Sequence, residues 1–250
     1  MIFLIDRIPI PGFSEPASSL SHYLVIPIFL VLFVFLLKKA WGKTPLIYHI
    51  FFGFAVVFVL SMSGTFHLLD KGGVAKGIFQ RLDHAGIFLL IAASMFPVHG
   101  ILFKGIKRWG ILVLMGTAAV AGIVLKAVYF DSFSNFIDLV MYLGYGWVAM
   151  ISGILLVRKF KLKFIFWLLI EAGCYTLGAV LDFAEWPTLW TGVISGHEVF
   201  HLFVGAGIIC HWRFIWSFAD FQPNLTKELA ITSEEVPEKE LAPVSVRPRS

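Results

Sequence analysis

The chain has 250 residues, of which 58% are hydrophobic and 14% are charged. About 25% of the residues of a soluble domain are charged, and the mean hydropathy here is +0.85, so an ordinary soluble protein is excluded. The net charge of +4 does not indicate nucleic-acid binding, because the Lys and Arg residues form short clusters between apolar blocks. The composition therefore predicts a membrane protein.

The apolar residues form blocks close to the length of about 20 residues that crosses a bilayer as a helix. The predicted spans are Leu20–Leu37, Pro45–Leu69, Leu82–Phe103, Trp109–Leu125, Asn135–Val157, Phe164–Phe183 and Val193–Trp216. From Asp220 onward the chain is polar and cannot bury enough apolar area to fold. We predict an all-α fold, with a seven-helix transmembrane bundle over residues 1–219 and a disordered C-terminal tail over residues 220–250.

An odd number of spans puts the two termini on opposite sides of the membrane. The loops on the N-terminal side contain Arg7, Lys71, Lys76, Arg81 and Lys126. The opposite side contains Lys38, Lys39, Lys43, Lys104, Lys107, Arg108, Arg158, Lys159, Lys161, Lys163 and Arg213. By the positive-inside rule the C-terminus is cytoplasmic and the N-terminus lies outside, in the plasma (inner) membrane.

Ionisable residues inside spans are costly and indicate function. Ser63 and His67 are four residues apart near the end of the second span, and so share one helical face. His197 and His201 have the same spacing at the start of the seventh span, and Asp83 lies at the start of the third. Alternation of the spans places all three ends on one side, so three imidazoles and a carboxylate are expected to meet.

Three neutral imidazoles suit zinc, and a catalytic zinc site usually has three protein ligands with water in the fourth position. We therefore predict a zinc cofactor held by His67, His197 and His201. Asp83 would orient or deprotonate the water that zinc activates, and Ser63 would donate a hydrogen bond to an oxyanion. This set is typical of a zinc hydrolase.

Two alternatives use the same residues. His197, Glu198 and His201 form an H-E-x-x-H pattern, which in an intramembrane metalloprotease would make Glu198 the general base. A non-catalytic receptor or sensor with structural zinc would also need the three histidines. Packing, capping and functional roles stay open for Glu171 and Asp182. Four other helix histidines are interpreted as hydrogen-bonding partners between helices: His49, His84, His99 and His211.

Three segments resemble the haemolysin-III branch of the progestin and adipoQ receptor family. SGTFHLLDKGGVAKGIFQRLDHAGIFLLIAASM, Ser63–Met95, resembles its Ser-x-x-x-His pattern followed by an Asp-His pair. GHEVFHLFVGAGIICHW, Gly196–Trp212, is similar to its seventh helix. EPASSLSH, Glu15–His22, resembles its Glu-x-x-Asn-x-x-x-His signature with Ser18 at the Asn position. The family's GtyTP motif is replaced by ASMFP at Ala93–Pro97.

The resemblance implies a seven-helix fold, zinc held by His67, His197 and His201, and Asp83 in contact with the bound water. It also relates the chain to alkaline ceramidases, which hydrolyse a lipid amide. We therefore expect a hydrolase whose substrate is a membrane lipid amide or ester that enters laterally from the bilayer. Bacterial members of this type usually have the N-terminus inside, which is the opposite of the orientation indicated by the cations.

Overall fold

The computed structural model describes residues 8–221 and confirms the predicted seven-helix bundle. The helices are α1 Pro16–Ala40, α2 Leu46–Leu68, α3 Val74–Leu102, α4 Ile106–Val128, α5 Asn135–Phe160, α6 Phe166–Phe183 and α7 Gly196–Trp216. Each is long and apolar enough to cross a membrane. Short 3₁₀ segments occur at Phe130–Ser132 and Leu162–Ile165. Of the predicted tail, residues 222–250 lie outside the described residues.

The helices form a bundle around α3. The sequence neighbours α1 and α2, α2 and α3, α3 and α4, α5 and α6, and α6 and α7 pack together, and α1 also packs on α7. The α3 helix contacts α2, α4, α5 and α7 and is the most buried of the seven. The outer helices expose apolar side chains such as Leu24, Val31 and Val180, which suit contact with lipid tails. Polar side chains in the interior of this bundle are therefore the exceptions that need a role.

The third helix begins at Val74, eight residues before its predicted start. Hydropathy misses these first two turns because they contain cations. Lys76 Nζ lies 2.9 Å from Glu15 Oε1, and Arg81 Nη2 lies 3.0 Å from Asp131 Oδ2. These ion pairs connect the start of α3 to the segment before α1 and to the loop after α4.

Serines attach the first turns of α1 to the rest of the bundle. Each of three serine hydroxyls makes a hydrogen bond to α2 or α7: Ser18 to Glu198, Ser19 to the Gly64 carbonyl, and Ser21 to His201. Small hydroxyl residues allow close helix approach in a membrane and provide hydrogen bonds between helices. This attachment places His22, on the same turns, against α2 and α7.

Gly196 allows α7 to begin in contact with the end of α6. A Cβ atom at this position would lie 2.6 Å from the carbonyl oxygen of Leu181 and 2.9 Å from that of Trp186. Both neighbours are backbone atoms and cannot move aside as a flexible side chain can. The absence of a side chain at Gly196 therefore allows the close approach that brings the following residue, His197, next to the end of α6.

The four histidines interpreted as interhelical partners all make hydrogen bonds. His84 contacts Tyr142 of α5, and His99 contacts Ser152 of α5. His211 contacts the Ser94 carbonyl of α3. The fourth, His49, bonds locally to Thr44 just before α2, and Thr44 in turn donates to the carbonyl of Ala219.

Candidate metal centre

Four histidines meet at the end of the bundle where α1, α3 and α7 begin and α2 ends. They come from α1, α2 and twice from α7: His22, His67, His197 and His201. The ring centroids of His22 and His201 are 4.0 Å apart, and those of His67 and His197 are 5.0 Å apart. The structure thus brings together the three predicted ligands and adds a fourth imidazole.

His22, His67 and His201 form a compact group of possible metal ligands. One ring nitrogen from each lies within 4.8 Å of the other two, and all three residues are buried. Two of these residues belong to the predicted ligand set. His22 was not assigned to it, although it ends the EPASSLSH segment that carries the family resemblance.

His197, the third predicted ligand, is at the edge of the same cluster. Its Nε2 lies 3.3 Å from His67 Nε2, and its ring centroid is 4.3 Å from that of His201. Two nitrogens that bind one tetrahedral zinc ion at about 2.0–2.1 Å lie roughly 3.3–3.4 Å apart. The separation of these two Nε2 atoms therefore fits a shared metal ion.

The three predicted ligands each have a polar partner on Nδ1. His67 Nδ1 lies 2.6 Å from Glu15 Oε2, and His197 Nδ1 lies 2.9 Å from Asp182 Oδ1. Metal-binding histidines in proteins usually donate the second ring N–H to such a group, which fixes the tautomer and the ring orientation. In both residues this leaves Nε2 as the nitrogen for a metal.

His201 has the same arrangement through a serine. Its Nδ1 lies 3.1 Å from Ser21 Oγ, and that hydroxyl donates to the Ser18 carbonyl at 2.6 Å. Because the single hydroxyl proton of Ser21 is used on the carbonyl, its oxygen accepts from His201 Nδ1. In His201, too, Nε2 is the ring nitrogen that is left for a metal.

Glu15 and Asp182 were not assigned roles at the centre from the sequence. Glu15 also accepts from Lys76, and its backbone N–H donates to the His67 carbonyl at 3.0 Å. Burial alone would raise the pKa of Glu15, but the hydrogen bonds from His67 and Lys76 lower it to about 2. Glu15 is therefore a carboxylate across the ordinary pH range and a permanent acceptor for His67.

Ser63 and Asp83 lie at the same site, as the helix ends predicted. Ser63 Oγ is 2.9 Å from His22 Nε2. Ser63 and Asp83 line the same cavity as His22 and His197. The hydrogen bond to Ser63 ties the His22 ring to α2.

Glu198 belongs to the N-terminal capping box of α7, whose N-cap residue is Ser195. Its Oε2 accepts from the Ser195 backbone N–H at 2.8 Å and from Ser195 Oγ at 2.9 Å, and its Oε1 accepts from Ser18 Oγ at 2.6 Å. With the Ser195 side chain this forms a capping box, which satisfies backbone donors at the helix start. One carboxylate oxygen thus caps the helix terminus and the other binds α1.

The histidine cluster adjoins a cavity of about 620 Å³, a size typical of small-molecule sites. His22, Asp83, His197 and His201 line one end. From there the cavity continues between α3, α5, α6 and α7 along a wall that is mostly apolar, as far as Leu156 and Ile165. The cavity therefore has one polar end and a long, mostly apolar body.

The sequence matches a family model described as haemolysin-III related over residues 13–212. The chain belongs to the haemolysin-III-related family. It is 26% identical over 198 residues to Hemolysin-3 of Bacillus cereus, covering 78% of this chain and 86% of the relative. It is also 26% identical over 203 residues to the Hemolysin-3 homolog of Bacillus subtilis (strain 168), covering 78% and 89% of the two chains.

The haemolysin-III match spans the whole candidate centre. It begins just before Glu15, includes all four clustered histidines, and ends at Trp212 in the last turns of α7. The residues of the centre therefore belong to the part of the chain that the family shares.

Proposed function

We propose that this haemolysin-III-related protein is an integral membrane zinc hydrolase that cleaves a lipid amide or ester. The supporting observation is the histidine cluster, with an outer polar partner on each ring, at the end of an apolar cavity inside a membrane bundle. Neutral imidazoles are suitable zinc ligands, and the outer carboxylates raise their basicity. Zinc is therefore the metal that this donor set fits best.

His67, His197 and His201 would hold the metal through Nε2, since their Nδ1 atoms have other partners. Zinc at this position would polarise the scissile carbonyl and lower the pKa of an attacking water. The Asp83 carboxylate accepts the proton of that water and returns it to the leaving amine or alcohol, so that water adds across the cleaved bond. Ser63 remains a candidate donor to the oxyanion.

The substrate class follows from the cavity. Its walls include Leu90, Trp147 and Leu168, which favour hydrocarbon over a polar chain. The head of a lipid with its amide or ester group would lie at the histidines, and its tail would extend between α5 and α6. Entry from the bilayer avoids moving the tail through water.

His22 supports a second candidate function. If all four imidazoles bind one zinc ion, the site is closed and has no position for water, as in structural zinc sites. The protein would then be a receptor or membrane sensor, with the cavity as its ligand site. The protease alternative has less support, because one carboxylate oxygen of Glu198 caps α7 and the other accepts from Ser18 of α1.

Metal removal tests the hydrolase. Purified protein in lipid nanodiscs is assayed on an N-acyl lipid and an O-acyl lipid with the same acyl chain. We expect release of the fatty acid, loss of turnover when a membrane-permeant chelator removes the metal, and recovery with zinc but not with magnesium. Mass spectrometry of the released acid gives the rate.

A zinc-loaded protein that cleaves neither substrate would contradict the hydrolase and favour the receptor. Turnover that persists after the zinc has been removed would contradict the metal mechanism. The His67→Ala protein is the matched negative control, because it retains the cavity and loses one proposed ligand.

We also propose that the N-terminus lies outside and the C-terminus in the cytoplasm. Three of the five cations on the N-terminal side are paired with carboxylates, in Lys76–Glu15, Arg81–Asp131 and Lys126–Asp138. The cluster from Arg158 to Lys163 on the other side falls around one short connection, where the positive-inside rule applies best. The histidine centre, which is the cluster of His22, His67, His197 and His201, would then lie near the extracytoplasmic surface.

Thiol labelling tests this orientation. Single cysteines replace the exposed residues Ser134 and Lys161 in a protein that also carries Cys174→Ala and Cys210→Ala. In intact cells an impermeant maleimide should label the Ser134 position, while the Lys161 position should react only after the cells are opened. The reverse pattern would place the N-terminus in the cytoplasm.

A further inference from the structure

A second polar pair lies in the cavity, away from the histidine centre. His211 Nδ1 of α7 is 2.8 Å from Glu171 Oε2 of α6, and both residues line the cavity. The side chain of His211 is 1% exposed and that of Glu171 is 13% exposed. The proposed hydrolysis uses neither residue, and an ionisable pair inside a membrane bundle is costly without a role.

The pair lies about 15 Å deeper than the centre. His211 is ten residues after His201 on α7, which at 1.5 Å per residue is about 15 Å along the helix. Glu171 is eleven residues before Asp182 on α6, which gives about 16 Å. Since both helices agree and the cavity is continuous, one extended molecule can contact both polar regions.

The hydrogen bonds determine how many protons the pair holds. His211 Nε2 is 3.1 Å from the Ser94 carbonyl, which can only accept, so this nitrogen carries a proton. The contact between Nδ1 and Glu171 Oε2 needs a second proton, carried either by the imidazole or by the carboxyl group. In both cases the pair is neutral overall, and so it can be buried without another counter-ion.

One oxygen of Glu171 remains available to a ligand. Within residues 8–221, Glu171 Oε1 makes no hydrogen bond to another side chain or to the backbone. The lining of the cavity includes the apolar side chains of Phe52, Ile91 and Leu168, and the phenol of Tyr175 lies one turn further along α6. A hydroxyl group suits this position whichever partner holds the proton, since it can both donate and accept.

We propose that Glu171 and His211 form a second subsite, which binds a hydroxyl group on the acyl chain of a lipid whose polar head lies at the histidine centre. The proposal rests on the proposed function for the presence of a lipid in the cavity. It adds a preference for chains hydroxylated about 15 Å from the polar head. Glu171 makes the contact, and His211 positions its carboxyl group.

Equilibrium binding of three fatty acids to the purified full-length protein tests the subsite. The probes are stearate, 12-hydroxystearate and 2-hydroxystearate. Carbon 12 lies roughly 14 Å from the carboxyl carbon, since a bond of about 1.5 Å advances an extended chain by about 1.25 Å. We expect 12-hydroxystearate to bind about tenfold more tightly than the other two acids, as for one hydrogen bond to an ionisable group.

Two variants test whether Glu171 causes the preference for 12-hydroxystearate. Glu171→Leu should bring 12-hydroxystearate to the affinity of stearate while leaving stearate binding close to wild type, which also reports an intact cavity. Thr176→Val removes a hydroxyl from another cavity residue of the same helix, and should retain the tenfold preference.

Equal affinities of stearate and 12-hydroxystearate for the wild-type protein would overturn the subsite, whatever the folding of the variants. So would a preference that survives in Glu171→Leu, or an absence of binding by all three acids. The measurement needs no turnover. A failure of hydrolysis therefore leaves this result unchanged and is distinguished from a failure of the subsite.

Discussion

Alanine at His67, His197 or His201 is expected to reduce the zinc content from about one ion per chain to near zero. Each change removes one of the three imidazoles that are proposed to bind zinc through Nε2. A hydrogen bond to Nδ1 holds each of these rings in place. Two remaining imidazoles bind zinc too weakly to survive purification. Elemental analysis of the purified variants, with protein concentration from amino-acid analysis, measures this ratio.

His84→Ala is the matched control, because His84 also lines the cavity but bonds to Tyr142 of α5. It should keep full zinc content. Full occupancy in the His67→Ala and His197→Ala proteins would disprove the proposed ligand set.

His22→Ala separates the two candidate functions. An open catalytic site with three ligands keeps its zinc in this variant, whereas a closed site with four ligands loses much of it. Loss of zinc from all four histidine variants would favour the receptor with structural zinc.

Asp83→Asn is expected to lower kcat for lipid cleavage by about 10² to 10⁴ with zinc still bound. The amide of the variant cannot accept the proton of the attacking water. Zinc should stay bound because Asp83 is not one of the proposed zinc ligands. Glu198→Gln should change kcat little, because Glu198 caps α7. Its expected effect is a loss of stability of about 1 kcal/mol.

The two variants are compared in the same fatty-acid release assay, with zinc content measured on the same samples. The metalloprotease alternative, with Glu198 as the general base, predicts the opposite pattern: activity is lost in Glu198→Gln and retained in Asp83→Asn. That result would restore the protease interpretation. Loss of zinc from Asp83→Asn would show that Asp83 acts on the metal site and not on proton transfer.

Hydropathy could predict the seven helices because each span has to satisfy its backbone internally. It could not place the start of α3, since Lys76 and Arg81 resemble loop residues until their partners Glu15 and Asp131 are known. Those partners come from distant parts of the chain. The boundary is decided by tertiary ion pairs, which local composition does not contain.

Part of the site could also be predicted from the sequence. The spacing of four residues in Ser63–His67 and His197–His201, together with the alternation of the spans, places these groups at one end of the bundle. The contact with His22 depends on how α1 packs against α2 and α7. The contact of Asp182 with His197 depends on the close approach at Gly196. Neither has a periodic signature in the sequence.

The hydrogen bonds from α1 to α7 have a consequence for biosynthesis. Ser18 and Ser21 bond to partners that are 180 residues later in the chain. At a ribosomal rate of about 5–20 residues per second, roughly 9 to 36 seconds separate the emergence of the two partners. Throughout that interval the hydroxyls of Ser18 and Ser21 lack their partners on α7, which is the last helix to be made. The centre is therefore completed only when the last helix inserts, so metal binding would distinguish chains that include α7 from chains that end before it.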